Sequence, residues 1–106
     1  MTPEGKVKDF IKKFLLKHNA YYYMPVSNGM GAPTLDFICV YAGRAFFIEA
    51  KAPGKKPTPR QLAFIKDMET YNAPSFVVSD TSHLQPIEEW ICTILRTESA
   101  QSTELL

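Results

Sequence analysis

The sequence predicts an α/β sandwich, a small mixed sheet covered by helices in the order α-β-β-β-α-β-α. Three observations predict it. Apolar residues recur at helical spacing in three separate segments. Two adjacent strand-like runs meet at Ala42-Gly43, a dipeptide suited to a tight turn. A short apolar run, Ser75-Phe76-Val77-Val78-Ser79, is entered soon after a helix, as the strand of a parallel pair would be.

Residues 3–18 read as an amphipathic helix. Thr2 can cap it, Pro3 suits the first helical position, and Glu4 suits the positive end of the helix dipole. Val7, Phe10, Ile11, Phe14 and Leu15 form its buried stripe, and Asn19 is a plausible stop. Glu4 lies three and seven residues before Val7 and Ile11, so it falls at the edge of that stripe. The flanking lysines from Lys6 to Lys17 read as a wet helix face.

A first strand is expected over 20–26, with Pro25 arguing for an edge position or an early end. Residues 27–33 read as a loop punctuated by two glycines and a proline. Residues 35–41 and 44–51 form the hairpin. A second loop carries Pro53, Gly54, Lys55, Lys56 and Pro57. Thr58 then caps a helix to about Tyr71, with Pro59 first in the helix and Gln61 completing a Thr-x-x-Gln capping box. Leu62, Ile65 and Met68 are its expected stripe. Thr81 or Ser82 is expected to cap the last helix, from about Leu84 to Thr97, with Ile87, Trp90, Ile91 and either Ile94 or Leu95 buried.

The 106 residues suffice for one domain, expected over 1–97, with a polar tail at 98–106 expected to fray. At 45% hydrophobic and 22% charged, the chain has globular and not disordered composition. A net charge of +1 does not announce a nucleic-acid binder, so any basic surface must be local. Cys39 and Cys92 lack the spacing of a zinc site, and two isolated thiols suit a reducing compartment. With no membrane-length apolar run and no signal-peptide pattern, a cytoplasmic protein of a bacterial or phage-infected cell is expected.

The candidate chemistry lies in the pattern D-x12-E-A-K-x9-Q, from Asp36 to Gln61. A turn centred on Ala42-Gly43 pairs Tyr41 with Arg44, Ile38 with Phe47, and Asp36 with Glu49. Directly opposed residues share a face, and Lys51, two residues beyond Glu49, shares it too. Two opposed carboxylates on an apolar hairpin are destabilising unless something compensates, and a divalent cation is the natural compensation. Asp36 and Glu49 supply hard oxygens, the Ala50 carbonyl a third, and Glu4 a possible fourth. Lys51 is placed to orient or deprotonate an attacking water. Gln61 is placed to orient Lys51 or a phosphate. Lys55, Lys56 and Arg60 follow, and beside such a site they read as phosphate contacts.

Blander readings stand beside these. Glu49 and Lys51 alone would be an ordinary same-face ion pair, and the opposition of Asp36 weighs against it. Glu4 as a dipole partner and Gln61 as a capping residue balance evenly against their site roles. Lys55, Lys56 and Arg60 would be unremarkable as a solvated loop. Asp80 and His83 read as turn chemistry, His18 as a helix-end residue, and Trp90 and the tyrosines as core or subunit interface.

At Asp36, Glu49-Ala50-Lys51 and Gln61 the chain resembles the PD-(D/E)xK nuclease superfamily and, more narrowly, the VRR-NUC family. The likeness spans roughly residues 4–80. It includes the early glutamate, G-R-x-x-F-I-E-x-K from Gly43 to Lys51, the Gly-Lys-Lys loop, and T-P-x-Q from Thr58 to Gln61. One departure is that the proline expected directly before the motif aspartate is displaced to Pro33, with Thr34 and Leu35 intervening. The resemblance implies a restriction-endonuclease-like α-β-β-β-α-β core. It also implies a Mg2+- or Mn2+-dependent, structure-selective DNA endonuclease. Small stand-alone members, often from phages, resemble Holliday-junction resolvases and act as homodimers. A two-fold dimer suits a four-way junction, which offers two symmetry-related phosphates. Flap or single-strand cleavage by the same fold, and a non-catalytic DNA-binding module, are the alternatives.

Overall fold

The computed structural model describes residues 1–26 and 34–105, with side chains as far as Glu98. The expected glycine-rich loop at 27–33, including Pro33, lies outside the described residues. Helix α1 spans Pro3–Lys17. It starts where Thr2 accepts the Gly5 N–H at 3.0 Å, which satisfies one otherwise orphaned donor. It stops at Asn19, whose φ of 56° is the left-handed conformation that ends a helix.

Four strands follow α1 as one sheet in spatial order β1-β2-β3-β4. Their ranges are Tyr21–Tyr23, Phe37–Tyr41, Arg44–Ala50 and Ser75–Val78. The first two pairings are antiparallel and β3–β4 is parallel, so the sheet is mixed as expected. Strand β1 is an edge strand and ends at Tyr23, short of the expected end at residue 26. Pro25 has no N–H to continue the ladder. The hairpin register is the expected one, with Tyr41 opposite Arg44 and Ile38 opposite Phe47. Its turn has φ of 51° at Ala42 and 78° at Gly43, the two positive values of a type I′ turn.

Alternation sorts the sheet into two faces. Phe37, Cys39, Phe46, Ile48, Ala50 and Val78 point to one face. There they are buried with Val7, Ile11 and Leu15 of α1 and Ile87 and Ile91 of α3 (Gln85–Leu105). Trp90 of α3 packs on Phe46 with ring centroids 4.9 Å apart. The opposite face receives α2 (Pro59–Glu69), whose Phe64 meets Phe47 edge-on at 5.1 Å. The result is a three-layer α/β domain with an α-β-β-β-α-β core. Among the described residues, no helix is long and apolar enough to cross a membrane.

Several local expectations are corrected. Helix α2 ends at Glu69 and buries no residue fully, and Leu62 of its expected stripe is 53% exposed. Phe64 takes the inner position instead. The last helical segment opens as a 3-10 turn, Thr81–Leu84, and Asp80, not Thr81 or Ser82, caps it by accepting the Ser82 N–H at 2.8 Å. Asp80 has the extended backbone a cap requires, whereas Thr81 already lies inside the turn. Ile94 is buried and Leu95 is exposed. Helix α3 runs as backbone helix to Leu105. The stretch beyond Thr97 contains no glycine or proline to stop it, and Glu98, Ala100, Gln101 and Glu104 all favour helix.

Ala42 holds a positive φ with a Cβ that disfavours it. Ala42→Asn restores the Asn-Gly pair preferred in type I′ turns and should stabilise the domain by about 0.5–1 kcal/mol. Thermal unfolding followed by circular dichroism should show a midpoint raised by a few degrees. An unchanged or lowered midpoint would contradict this account of the turn.

Candidate active site

The site forms where the hairpin ladder hands over from backbone to side chains. Extending the Phe37–Ile48 pair by one position sets Asp36 against Glu49. Here the Asp36 N–H donates to Glu49 Oε1 at 3.2 Å, and the Ala50 N–H donates to Asp36 Oδ2 at 2.9 Å. Each carboxylate therefore accepts a main-chain N–H from the opposite strand. This exchange fixes both side chains, because each amide would otherwise lose its partner. Among the described residues Glu49 is the one buried charged side chain, at 2% exposure.

Two further donors meet on the second oxygen of Glu49. Lys51 Nζ lies 3.3 Å from Glu49 Oε2, and Gln61 Nε2 donates to it at 2.7 Å. The rest of Gln61 closes the expected capping box. Its Oε1 accepts the Thr58 N–H at 2.9 Å, and its own N–H donates to Thr58 Oγ1 at 3.2 Å. Capping and site contact thus coexist in one side chain, and Gln61 is placed on Glu49 rather than on Lys51. The cap makes the start of α2 part of the site.

Glu4 approaches from α1 through Lys8, a residue read from sequence as part of a wet helix face. Lys8 Nζ lies 3.4 Å from Glu4 Oε2 and 3.8 Å from Asp36 Oδ1. The Glu4-Lys8 spacing of four residues permits that pair, but Asp9 and Lys13 share the same spacing, so sequence alone does not single Lys8 out. The Ala50 carbonyl, the third expected oxygen, belongs to the peptide joining Ala50 to Lys51 at the end of β3.

Charge is tightly balanced here. Burial, then repulsion from Asp36, pushes the Glu49 carboxyl up to about 7, with Lys51 pulling the other way. Lys51 offsets this only in part, and a divalent cation would supply further positive charge. The donors are hard oxygens in the small number Mg2+ uses while keeping its own waters. Among the described residues no cluster of three or more His, Cys, Asp or Glu forms a ready metal cage. The fit therefore rests on Asp36, Glu49 and the adjacent carbonyl.

Lys55, Lys56 and Arg60 are exposed within the segment that joins Lys51 to Gln61. The first turn of α2 has no acidic residue and carries Arg60, where the helix dipole disfavours a cation. A bound anion would remove that penalty. The Asp80 and His83 pair has a structural explanation. Asp80 binds Ser82 through its capping contacts, and His83 Nδ1 accepts the Ser79 N–H at 3.0 Å. No protein-family model matches the chain, and neither does any curated protein.

The raised Glu49 carboxyl has a thermodynamic consequence. In the metal-free protein it stays protonated at pH values where the unfolded chain has already ionised it. Stability linked to Glu49 is thus fully present below about 4.5 and is lost as pH rises through about 7. Urea unfolding midpoints should fall across that interval, and Glu49→Gln should flatten the fall. An equally steep fall in the variant would assign the pH dependence elsewhere.

Proposed function

We propose that the protein is a divalent-metal-dependent DNA endonuclease of VRR-NUC type, selective for branched DNA and acting as a homodimer on four-way junctions. The observation that carries this reading is the pair of opposed carboxylates, Glu49 accepting the Asp36 N–H and Asp36 the Ala50 N–H, with Lys51 on Glu49. A surface ion pair would not require a buried glutamate with a second, repelling carboxylate held beside it. A centre that binds a cation and then a phosphodiester would.

Phosphodiesters resist attack because their negative charge repels nucleophiles. A bound Mg2+ or Mn2+ supplies charge neutralisation and eases ionisation of the attacking water. Asp36 offers Oδ1 for such an ion while Oδ2 stays on the Ala50 N–H. Glu49 and the Ala50 carbonyl offer the other protein oxygens. Gln61 fixes the direction of Glu49 from the start of α2. Lys51, only 13% exposed, is close enough to orient the attacking water, take its proton, or balance charge developing on the phosphate. Lys55, Lys56 and Arg60 would hold flanking phosphates and fix the DNA without reading its sequence. For the dimer, support comes from the sheet face left beside α2. Tyr21, Tyr23 and Val40 stand exposed there on the edge strand and its neighbour.

The deciding experiment is cleavage of a fixed four-way DNA junction beside linear duplex, flap and single strand, in Mg2+, Mn2+ or chelator. Paired symmetric nicks on the junction are expected, absent in chelator. Lys51→Ala should slow them by about a hundredfold or more while metal still binds. Cleavage of flaps or single strands instead would keep the site and replace the substrate. A complete lack of metal-dependent cleavage would leave a DNA-binding module and overturn the enzymatic reading.

Phosphate contact by the loop has its own signature. Replacing Lys55 and Lys56 together by alanine should weaken junction binding and reduce the slope of log affinity against log salt by about two. Binding titrations over a range of salt would measure it. An unchanged slope would place both lysines off the DNA path.

A further inference from the structure

Lys8 occupies an unusual position for a helix-surface lysine. It directly follows the buried Val7 and precedes the buried Ile11 by three residues, so it leaves α1 beside the face turned to the sheet. Its ammonium is held between two carboxylates from different parts of the chain, Glu4 Oε2 at 3.4 Å and Asp36 Oδ1 at 3.8 Å. Asp36 Oδ2 is already committed to the Ala50 N–H. The oxygen that Lys8 approaches is therefore the one Asp36 has left to offer a cation. Its side chain and that of Asp36 are 30% and 26% exposed, so water screens their attraction only in part.

We propose that Lys8 is a built-in counter-ion of this site, a positioning residue that neutralises Asp36 and Glu4 in the metal-free chain and gives way when a divalent cation binds. The proposal rests on the metal-dependent reading above. It follows from charge and place. Asp36 lies against Glu49 and shares Lys8 with Glu4, and Lys51 answers Glu49. A second ammonium from α1 answers the other two. A divalent cation brings twice the charge of an ammonium to the same oxygens, so it can displace Lys8 where a monovalent ion gains little. The consequence is a lowered metal affinity, because binding must first break the Lys8 contacts and then tolerate an ammonium nearby.

The test is calorimetric titration of the full chain with Mg2+ and separately with Mn2+, with no DNA present. Lys8→Met removes the charge and keeps an unbranched stem. Lys13→Met removes the same charge from the same helix, at a lysine paired with Asp9 instead at 3.0 Å. Circular dichroism would first verify that both variants retain the fold. Lys8→Met should bind metal on the order of tenfold more tightly than the unaltered chain, and Lys13→Met should match the unaltered chain. Equal or weaker binding by Lys8→Met would overturn the proposal and leave the nuclease reading intact. Equal tightening by both variants would also overturn it, because net charge alone would then be responsible. Metal binding by none of the three would remove the metal-dependent reading and this inference together.

Discussion

Two carboxylates that repel one another are held at the mouth of the β2–β3 hairpin by the backbone of the opposite strand. The Asp36 N–H is satisfied by Glu49 and the Ala50 N–H by Asp36. Neither carboxylate can turn away without stranding a main-chain donor, a loss of about 1–3 kcal/mol for a buried group. The apolar remainder of the hairpin, Phe37, Cys39, Phe46 and Ile48, is packed into the core and cannot slip by one residue without reversing every side chain. Core register and site geometry are therefore the same constraint. The hydrophobic core forces the acids together, and the amides determine how they meet.

Every other part of the site answers the charge this creates. β3 leads into Lys51, α2 supplies the Gln61 amide, and α1 supplies Lys8. These groups come from separate elements, and each is anchored by something local. Lys51 follows directly from β3, and its N–H donates to the Val78 carbonyl of β4 at 2.9 Å. Gln61 is locked by its own capping box. Lys8 is placed by the stripe that buries Val7 and Ile11. Helix α2 buries no residue fully, so its cap and the Phe64–Phe47 contact carry much of its docking.

The parts legible in the sequence were those set by short-range rules. The Ala42-Gly43 turn and the alternation around it determined the hairpin register, and Thr58-x-x-Gln61 determined where α2 begins. Asn19 and Pro25 marked the ends of α1 and β1, and β1 is both an edge strand and ends early, as Pro25 implied. What escaped depends on tertiary placement. Leu62 has helical spacing suited to burial, yet the small α2 contact selects Phe64. Asp80 and Thr81 both favour capping, and the backbone conformation decided between them. Lys8 was indistinguishable in type and spacing from the other lysines of α1. Only the packing angle of that helix brings its ammonium to Asp36.

The charge balance also bears on why two lysines attend the carboxylate pair, one on each acid. Glu49 is buried, and its oxygens already receive an amide from Asp36, an amide from Gln61 and the Lys51 ammonium. Asp36 is more open and keeps one oxygen for Lys8 alone. The two carboxylates thus differ in what a cation would have to displace. At Glu49 it would meet a crowded, well-partnered group whose carboxyl burial and repulsion push up to about 7. At Asp36 it meets one long ion pair in partial contact with water. A divalent cation would therefore displace less at Asp36 than at Glu49, and its charge would favour ionisation of the Glu49 carboxyl.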